Sequence, residues 1–257
     1  MTGPAVSILG VEVGCYTLTT LLTRVQELLQ ASGCSYIYGV NAHTLNLAAV
    51  DREFLQIVAG AEAVYADGAS LLLAARVLGR HLPEKVTTTD LWPEMCQLAV
   101  EKDWKFYLLG GEPGLARRAG LQAGQQFPGL QIVGTHDGYT DIFSPQTAAA
   151  INAAQPDVLW VGMGDPLQGY WAKVMRPQLQ VKVIITCGGM FKIVSGELKR
   201  LPRSWRERGF EWLYRLWQEP QAWRRYLVGL PLFGLRVLSQ RLTQASNRLP
   251  GSGERHR

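Results

Sequence analysis

Apolar residues fall along the chain in short, nearly unbroken runs separated by segments of helical period. YIYGV at Tyr36–Val40, AVYA at Ala63–Ala66, WKFYLL at Trp104–Leu109, Leu130–Val133, Val158–Val161 and VKVIIT at Val181–Thr186 are the runs. Strands that read as continuous apolar stretches, without polar alternation, are those covered on both faces. Between them the spacing predicts helices over Thr19–Ala31, Thr44–Ala59, Asp90–Lys102 and Ser144–Ala154, with others after Asp67, from Pro113 and from Pro166. Ser144 followed by Pro145 is a helix entrance, and Asp90 reads as an N-cap. Residues 6–17 read as a small hairpin ahead of the first helix. This alternation predicts an α/β fold: a mostly parallel sheet with helices on both faces.

In such a sheet the crevice outside the carboxyl ends of the strands takes the ligand. Asp67 stands at one of those ends, in EAVYADGASLLLAARVLG. Two roles fit it there: a side-chain cap for the following helix, or a general base facing the crevice. Asn41, after YIYGV, is placed beside it. It can hydrogen-bond sugar hydroxyls or orient a carboxylate, and it can equally cap a helix. Other strands stop at glycine, at Gly110-Gly111, Gly162-Met163-Gly164 and Gly188-Gly189. Glycine at a strand end lets a ligand approach the backbone, and the next helix offers N–H groups to phosphate. It also simply ends strands. The polar loop from Lys85 through Thr89 brings a cation, and Gln168 in MGDPLQ falls on the first turn of its helix. His43 is a further acid/base candidate, with an ordinary surface histidine as the alternative. No GxGxxG, P-loop, HExxH or Ser–His–Asp pattern is present.

Composition changes the picture at one end only. From Lys192 onward there are 14 Lys and Arg against 5 Asp and Glu, leaving 12 against 16 for residues 1–191. The net charge of +5 therefore belongs to the C-terminal quarter. That segment also carries four of the eight tryptophans, at 205, 212, 217 and 223. Trp205, Phe210, Leu213, Leu216 and Trp217 fall mostly on one helical face, with Lys199, Arg200, Arg203, Arg206, Arg215, Arg224 and Arg225 around it. Arginine and tryptophan flanking an apolar face suit a helix lying on anionic lipid. A hairpin packed on the core is the alternative, and nucleic acid the least favoured. Cys15, Cys34, Cys96 and Cys187 are scattered and read as reduced thiols, which points to the cytoplasm. No signal peptide and no spanning run are expected.

Taken in order, VNAHTLNLA, ADGASLLLAARVLG, YLLGGEPG, VGMGDPLQ and CGGMFKIVSGELKRLPRSWRERGFEWLYRLWQEP resemble the WecG/TagA/CpsF glycosyltransferases, glycosyltransferase family 26. The resemblance implies a Rossmann-like core over residues 1–195 and a basic helical appendage over 196–245; residues 246–257 read from their composition as a frayed tail. The resemblance also implies an inverting, metal-independent enzyme with no cofactor. Such an enzyme moves an N-acetylmannosamine-type sugar from a UDP donor to a polyprenyl-diphosphate-linked acceptor at the inner membrane face. By the same resemblance Asp67 is the catalytic base, Asn41 an active-site asparagine and Gln168 a sugar contact. The cations at Arg203, Arg206 and Arg215 would then meet diphosphate.

The chain departs from that pattern at four places around the donor site. Gly39 stands where threonine is usual, Gly169 where an acid follows the glutamine, Lys192 where an acid is common, and Lys85 where arginine is frequent. A membrane-tethered nucleotide-sugar binder that no longer catalyses is therefore a second reading, and a nicotinamide-dependent oxidoreductase a remote third. A homo-oligomer is compatible with the pattern, and no nucleic-acid partner is expected.

Overall fold

The computed structural model describes residues 3–201, 205 and 211–246. Six strands form one parallel sheet: β3 (Ser35–Val40), β4 (Ala63–Ala66), β5 (Lys105–Gly110), β6 (Gln131–His136), β7 (Val158–Gly162) and β8 (Val183–Thr186), in the order β4-β3-β8-β7-β5-β6. A separate antiparallel pair, β1 (Ala5–Ile8) and β2 (Val11–Gly14), opens the chain. β3, β4, β7 and β8 are buried at every position, as their unbroken apolar runs require, whereas the edge strand β6 is half-buried throughout.

Each sheet face carries its own core. On one side α1 (Leu18–Gln30), α5 (Thr88–Lys102), α6 (Leu115–Gln126) and α9 (Met190–Val194) pack around Trp92, Phe106 and Trp160. The rings of Trp92 and Trp160 meet edge to face at 5.0 Å. On the other side lie α2 (Ala42–Ala48), α3 (Arg52–Ala59), α4 (Ala69–Val77), α7 (Pro145–Ala154), α8 (Leu167–Met175) and the hairpin.

The C-terminal part is helical, with α10 (Glu211–Gln218), a π-helical turn over Arg224–Val228 and α11 (Gly229–Ser246). α11 buries Phe233 and Val237 against the core. Polar bonds fix its position. Arg236 donates to the backbone O of Asn46 and to its Oδ1 at 2.8 and 2.9 Å, and Asn46 Nδ2 donates to the Gly229 carbonyl at 2.7 Å. Gln240 bonds both Ser7 and Leu9 of the first hairpin.

Local details depart from the periodicity. The single helix expected over Thr44–Ala59 is two, because the Asp51 side chain accepts from the Phe54 N–H and starts α3 afresh. Asp90 does not cap α5. Thr87 does, and Asp90 sits in the first turn bonded to the Thr87 hydroxyl at 2.5 Å. The helix expected from Pro113 begins at Leu115, and the last strand begins at Val183 rather than Val181. Arg203, Arg206 and the tail from residue 247 lie outside the described residues, as does the side chain of Arg215.

Candidate active site

The carboxyl ends of β4, β3, β8 and β7 open on one cavity of about 630 Å³, within the range of small-molecule sites. Asp67 follows β4 directly, its backbone N–H bonded to the Val40 carbonyl of β3 at 2.8 Å. It does not cap the next helix. The N-cap of α4 is Gly68, with no side-chain bond, and its φ of +146° is a conformation that side-chain-bearing residues avoid. Glycine thus turns the chain into α4 without using the carboxylate, and Asp67 lines the cavity. Its Oδ2 accepts from the Thr88 hydroxyl at 3.3 Å, and Thr88 in turn meets the Tyr65 hydroxyl at 2.9 Å. The Lys85–Thr89 loop is held alongside because the Val86 N–H bonds the Ala66 carbonyl at 2.9 Å. Lys85, Thr87, Thr88 and Thr89 all line the cavity.

Asn41 is both neighbour and cap. Its Oδ1 accepts from the backbone N–H groups of His43 and Thr44, starting α2, so only its amide nitrogen is left to meet a ligand in the cavity it lines. His43 also lines the cavity. Burial, and then the Arg225 guanidinium nearby, lower its pKa and hold the imidazole neutral at pH 7. Cys187 lies close enough to Asp67 that burial, reinforced by the carboxylate, pushes its thiol pKa well up.

Asp165, which also lines the cavity, gathers three donors. The Tyr38 hydroxyl and the Thr44 hydroxyl each reach it at 2.5 Å, and Gln168 Nε2 at 2.7 Å. Gln168 is buried, and its Oε1 accepts the Gly188 N–H at 3.0 Å. Both ends of Gln168 are engaged, so it ties α8 to the loop after β8. Gly188 and Gly189 lie on the cavity with open space where a Cβ would stand, as does Gly164. Those three glycines admit a ligand to the backbone.

The glycines after β5 do the opposite. A Cβ on Gly110 would lie 2.3 Å from the Gly162 carbonyl oxygen, and the Gly111 N–H bonds that oxygen at 3.0 Å. Gly110, Gly111, Gly162 and the buried Met163 pack on one another and on Gly138, away from the cavity. Three departures from the family pattern are likewise answered inside the molecule. Gly39 makes room for Tyr65, whose ring carbon and hydroxyl would both lie 2.7 Å from an added Cβ. Gly169 packs against Phe54 and Tyr38, behind the helix. Lys192 forms an ion pair with Glu219 at 2.7 Å, which raises its pKa and joins α9 to the appendage. Gly39→Thr is expected to destabilise the fold by about 1–3 kcal/mol through overpacking, measured by urea unfolding. An unchanged midpoint would mean that the Tyr65 ring can leave its place.

Among the described appendage cations only Arg225 lines the cavity. Arg224 stacks on Trp223, 5.4 Å from the ring centroid. Arg200 pairs with Asp90 at 2.5 Å and bonds Thr87 and the Thr89 carbonyl, locking the start of the appendage onto α5. The Lys199 backbone exchanges hydrogen bonds with Gln218, and Lys199 does not line the cavity. Sequence reading misses Asp165 as a site residue, takes Thr88 only as part of the Lys85–Thr89 loop and takes Arg225 only as one appendage cation among several. The run of hydroxyls at 87–89 was the available signal for Thr88. Nothing local separates Arg225 from Arg224.

The parallel sheet thus sets a carboxylate, an amide, hydroxyls and a cation around one cavity at its carboxyl edge, where open α/β sheets bind their ligands. Comparison with known families gives the class: residues 6–247 match the model of the Glycosyl transferase WecG/TagA/CpsF family, and the chain belongs to that family. It is a glycosyltransferase. Among its relatives is the N-acetylglucosaminyldiphosphoundecaprenol N-acetyl-beta-D-mannosaminyltransferase of Staphylococcus aureus strain MRSA252. That protein is 28% identical over 238 residues, 90% of this chain and 91% of the relative. The protein of the same name from strain MW2 is 26% identical over 236 residues, again 90% and 91% of the two chains.

Proposed function

We propose that this glycosyltransferase moves an N-acetylmannosamine-type sugar from a UDP-linked donor to a polyprenyl-diphosphate-linked saccharide, with inversion and with Asp67 as general base. The observation that carries the reading is the position of Asp67 at the carboxyl end of β4, lining the cavity. It stands at the cavity floor, it is relieved of capping duty by Gly68, and a hydroxyl bond orients it. The acceptor and sugar follow the names of the relatives.

In this mechanism an acceptor hydroxyl gives its proton to an Asp67 oxygen. The hydroxyl oxygen forms a bond to the anomeric carbon as the bond to the nucleotide diphosphate breaks on the opposite face. One displacement of this kind converts an α-linked donor into the β product named for the relatives. Charge on the departing diphosphate is met by Lys85 and by Arg225, both on the same cavity. Neutral His43 offers a hydrogen bond to a hydroxyl or phosphate without adding charge.

The appendage supports work at an anionic membrane surface. Trp205, Leu213, Trp217 and Trp223 are exposed, and Trp217 most of all at 75%. Arginine lies beside two of the aromatic rings. Among the described residues no helix is long and apolar enough to cross a membrane, so the proposed association is peripheral, at the inner face.

The test is a transfer assay with UDP-N-acetylmannosamine and an N-acetylglucosaminyl-diphosphoryl lipid. A β-linked disaccharide lipid is the expected product. Release of free sugar alone, or an α-linked product, would overturn the reading.

A further inference from the structure

The cavity is polar at one end only. Away from Asp67 its walls are apolar: Leu73 and Val77 on α4, and Leu230, Phe233, Val237 and Leu238 on α11. α4 starts two residues after Asp67 and runs from the floor for about 12 Å at 1.5 Å per residue. α11 lies along it, held there by Arg236, Gln240 and an Arg241 bond to the Leu78 carbonyl. Arg225 lines the cavity near His43 of the polar end, one turn before α11 begins. Several of the wall residues are open to solvent, Leu73 at 63% and Leu238 at 50%. Exposed leucine on both lips of a groove that ends in a charged floor is not the surface of an ordinary helix pair.

From this arrangement we infer that the trough between α4 and α11 seats the first isoprene units of the acceptor lipid, with its diphosphate at the Arg225 end. The inference rests on the acceptor class proposed above and adds where the hydrocarbon goes. Three features select this occupant. The trough is continuous with the Asp67 floor, so whatever lies in it is attached to the reacting group. The sequence of environments is hydroxyl-binding, then cationic, then apolar, which is the order of groups in a sugar-diphosphate-prenyl molecule. A nucleotide sugar carries no hydrocarbon to fill the last part. The open lips then let the rest of a long chain pass out between exposed leucines towards a bilayer.

Gly234 provides a clean probe. It lines the trough, and a Cβ built on it meets nothing within 4 Å. Gly234→Leu therefore brings bulk into the trough from a position with room at the Cβ, and in a helix it replaces glycine by a better helix former. Leu73→Gln tests the opposite wall at an exposed position. The full chain and both variants would be assayed with two acceptors bearing the same sugar diphosphate, one on a long polyprenyl chain and one on a short alkyl chain. Each variant is expected to raise KM for the polyprenyl acceptor by about tenfold, as lost apolar contact of that size implies. The donor KM and the kinetics with the short-chain acceptor should stay within twofold. Binding to phosphatidylglycerol vesicles should be unchanged.

Equal effects on both acceptors, or no effect on either, overturn the trough while leaving the transferase reading intact. Loss of vesicle binding in step with the loss of transfer places the effect at the membrane surface and also overturns it. Failure of the unmodified protein to transfer to either acceptor overturns the acceptor class and this inference with it.

Discussion

Asp67→Asn is expected to lower turnover by roughly a thousandfold, the middle to upper part of what a positioned general base contributes, with little change in folding. The two halves of that expectation have separate structural grounds. The amide is isosteric and cannot take a proton from the acceptor. It keeps an oxygen for the Thr88 hydroxyl, so the Tyr65–Thr88 chain need not rearrange. α4 loses nothing, since its N-cap is Gly68 and no side chain serves it. The thermal midpoint should therefore move by no more than about 2 °C, the range of a surface substitution in a chain of this size, and donor affinity should hold. Initial rates, calorimetry and donor titration on the same preparation decide it. A stability loss proportional to the activity loss would return Asp67 to a structural role.

Asp165→Ala should act in the reverse sense, on the fold first. Tyr38 and Thr44 are fully buried and Gln168 nearly so, and all three donate to the Asp165 carboxylate. Each buried donor left without an acceptor costs about 1–3 kcal/mol. These three are coupled, so a total of roughly 3–5 kcal/mol is the reasonable expectation. That is a large part of the 5–15 kcal/mol typical of a folded domain. Activity should fall too, because Gln168, freed from Asp165, no longer fixes the Gly188 N–H at the cavity wall. Urea unfolding measures the first effect. A loss below about 1 kcal/mol would show that the donors find other partners or water.

The fold and the address of the site were legible because both depend on local pattern. Continuous apolar runs imply a sheet covered on both faces, and residues just past those runs must lie along one edge. Asn41, Asp67, Gly164 and Gly188-Gly189 were located by that reasoning, and they do meet. What stayed hidden was decided by pairs distant in sequence. Gly39 reads as a lost threonine until Tyr65, from the neighbouring strand, is seen in its place. Gly169 reads as a lost acid until Phe54 is seen against it, and Lys192 as a reversed charge until Glu219 answers it. Gly110 and Gly188 look alike as strand-ending glycines, yet one is pressed onto Gly162 and the other faces open space. Arg224 and Arg225 differ only in the direction a helical turn points them, and periodicity over a five-residue π-helical stretch does not specify that.

The clamps that hold α11 join segments far apart in sequence: Gln240 reaches Ser7 and Leu9, and Arg236 reaches Asn46. During synthesis the last sheet strand, ending at Thr186, leaves the ribosome well before these partners do. The sheet can therefore form with Asp67 in place while one wall of its cavity is still untranslated. Only when residues near 240 emerge does that wall close the cavity, so the site is completed by a segment made long after the sheet that carries Asp67.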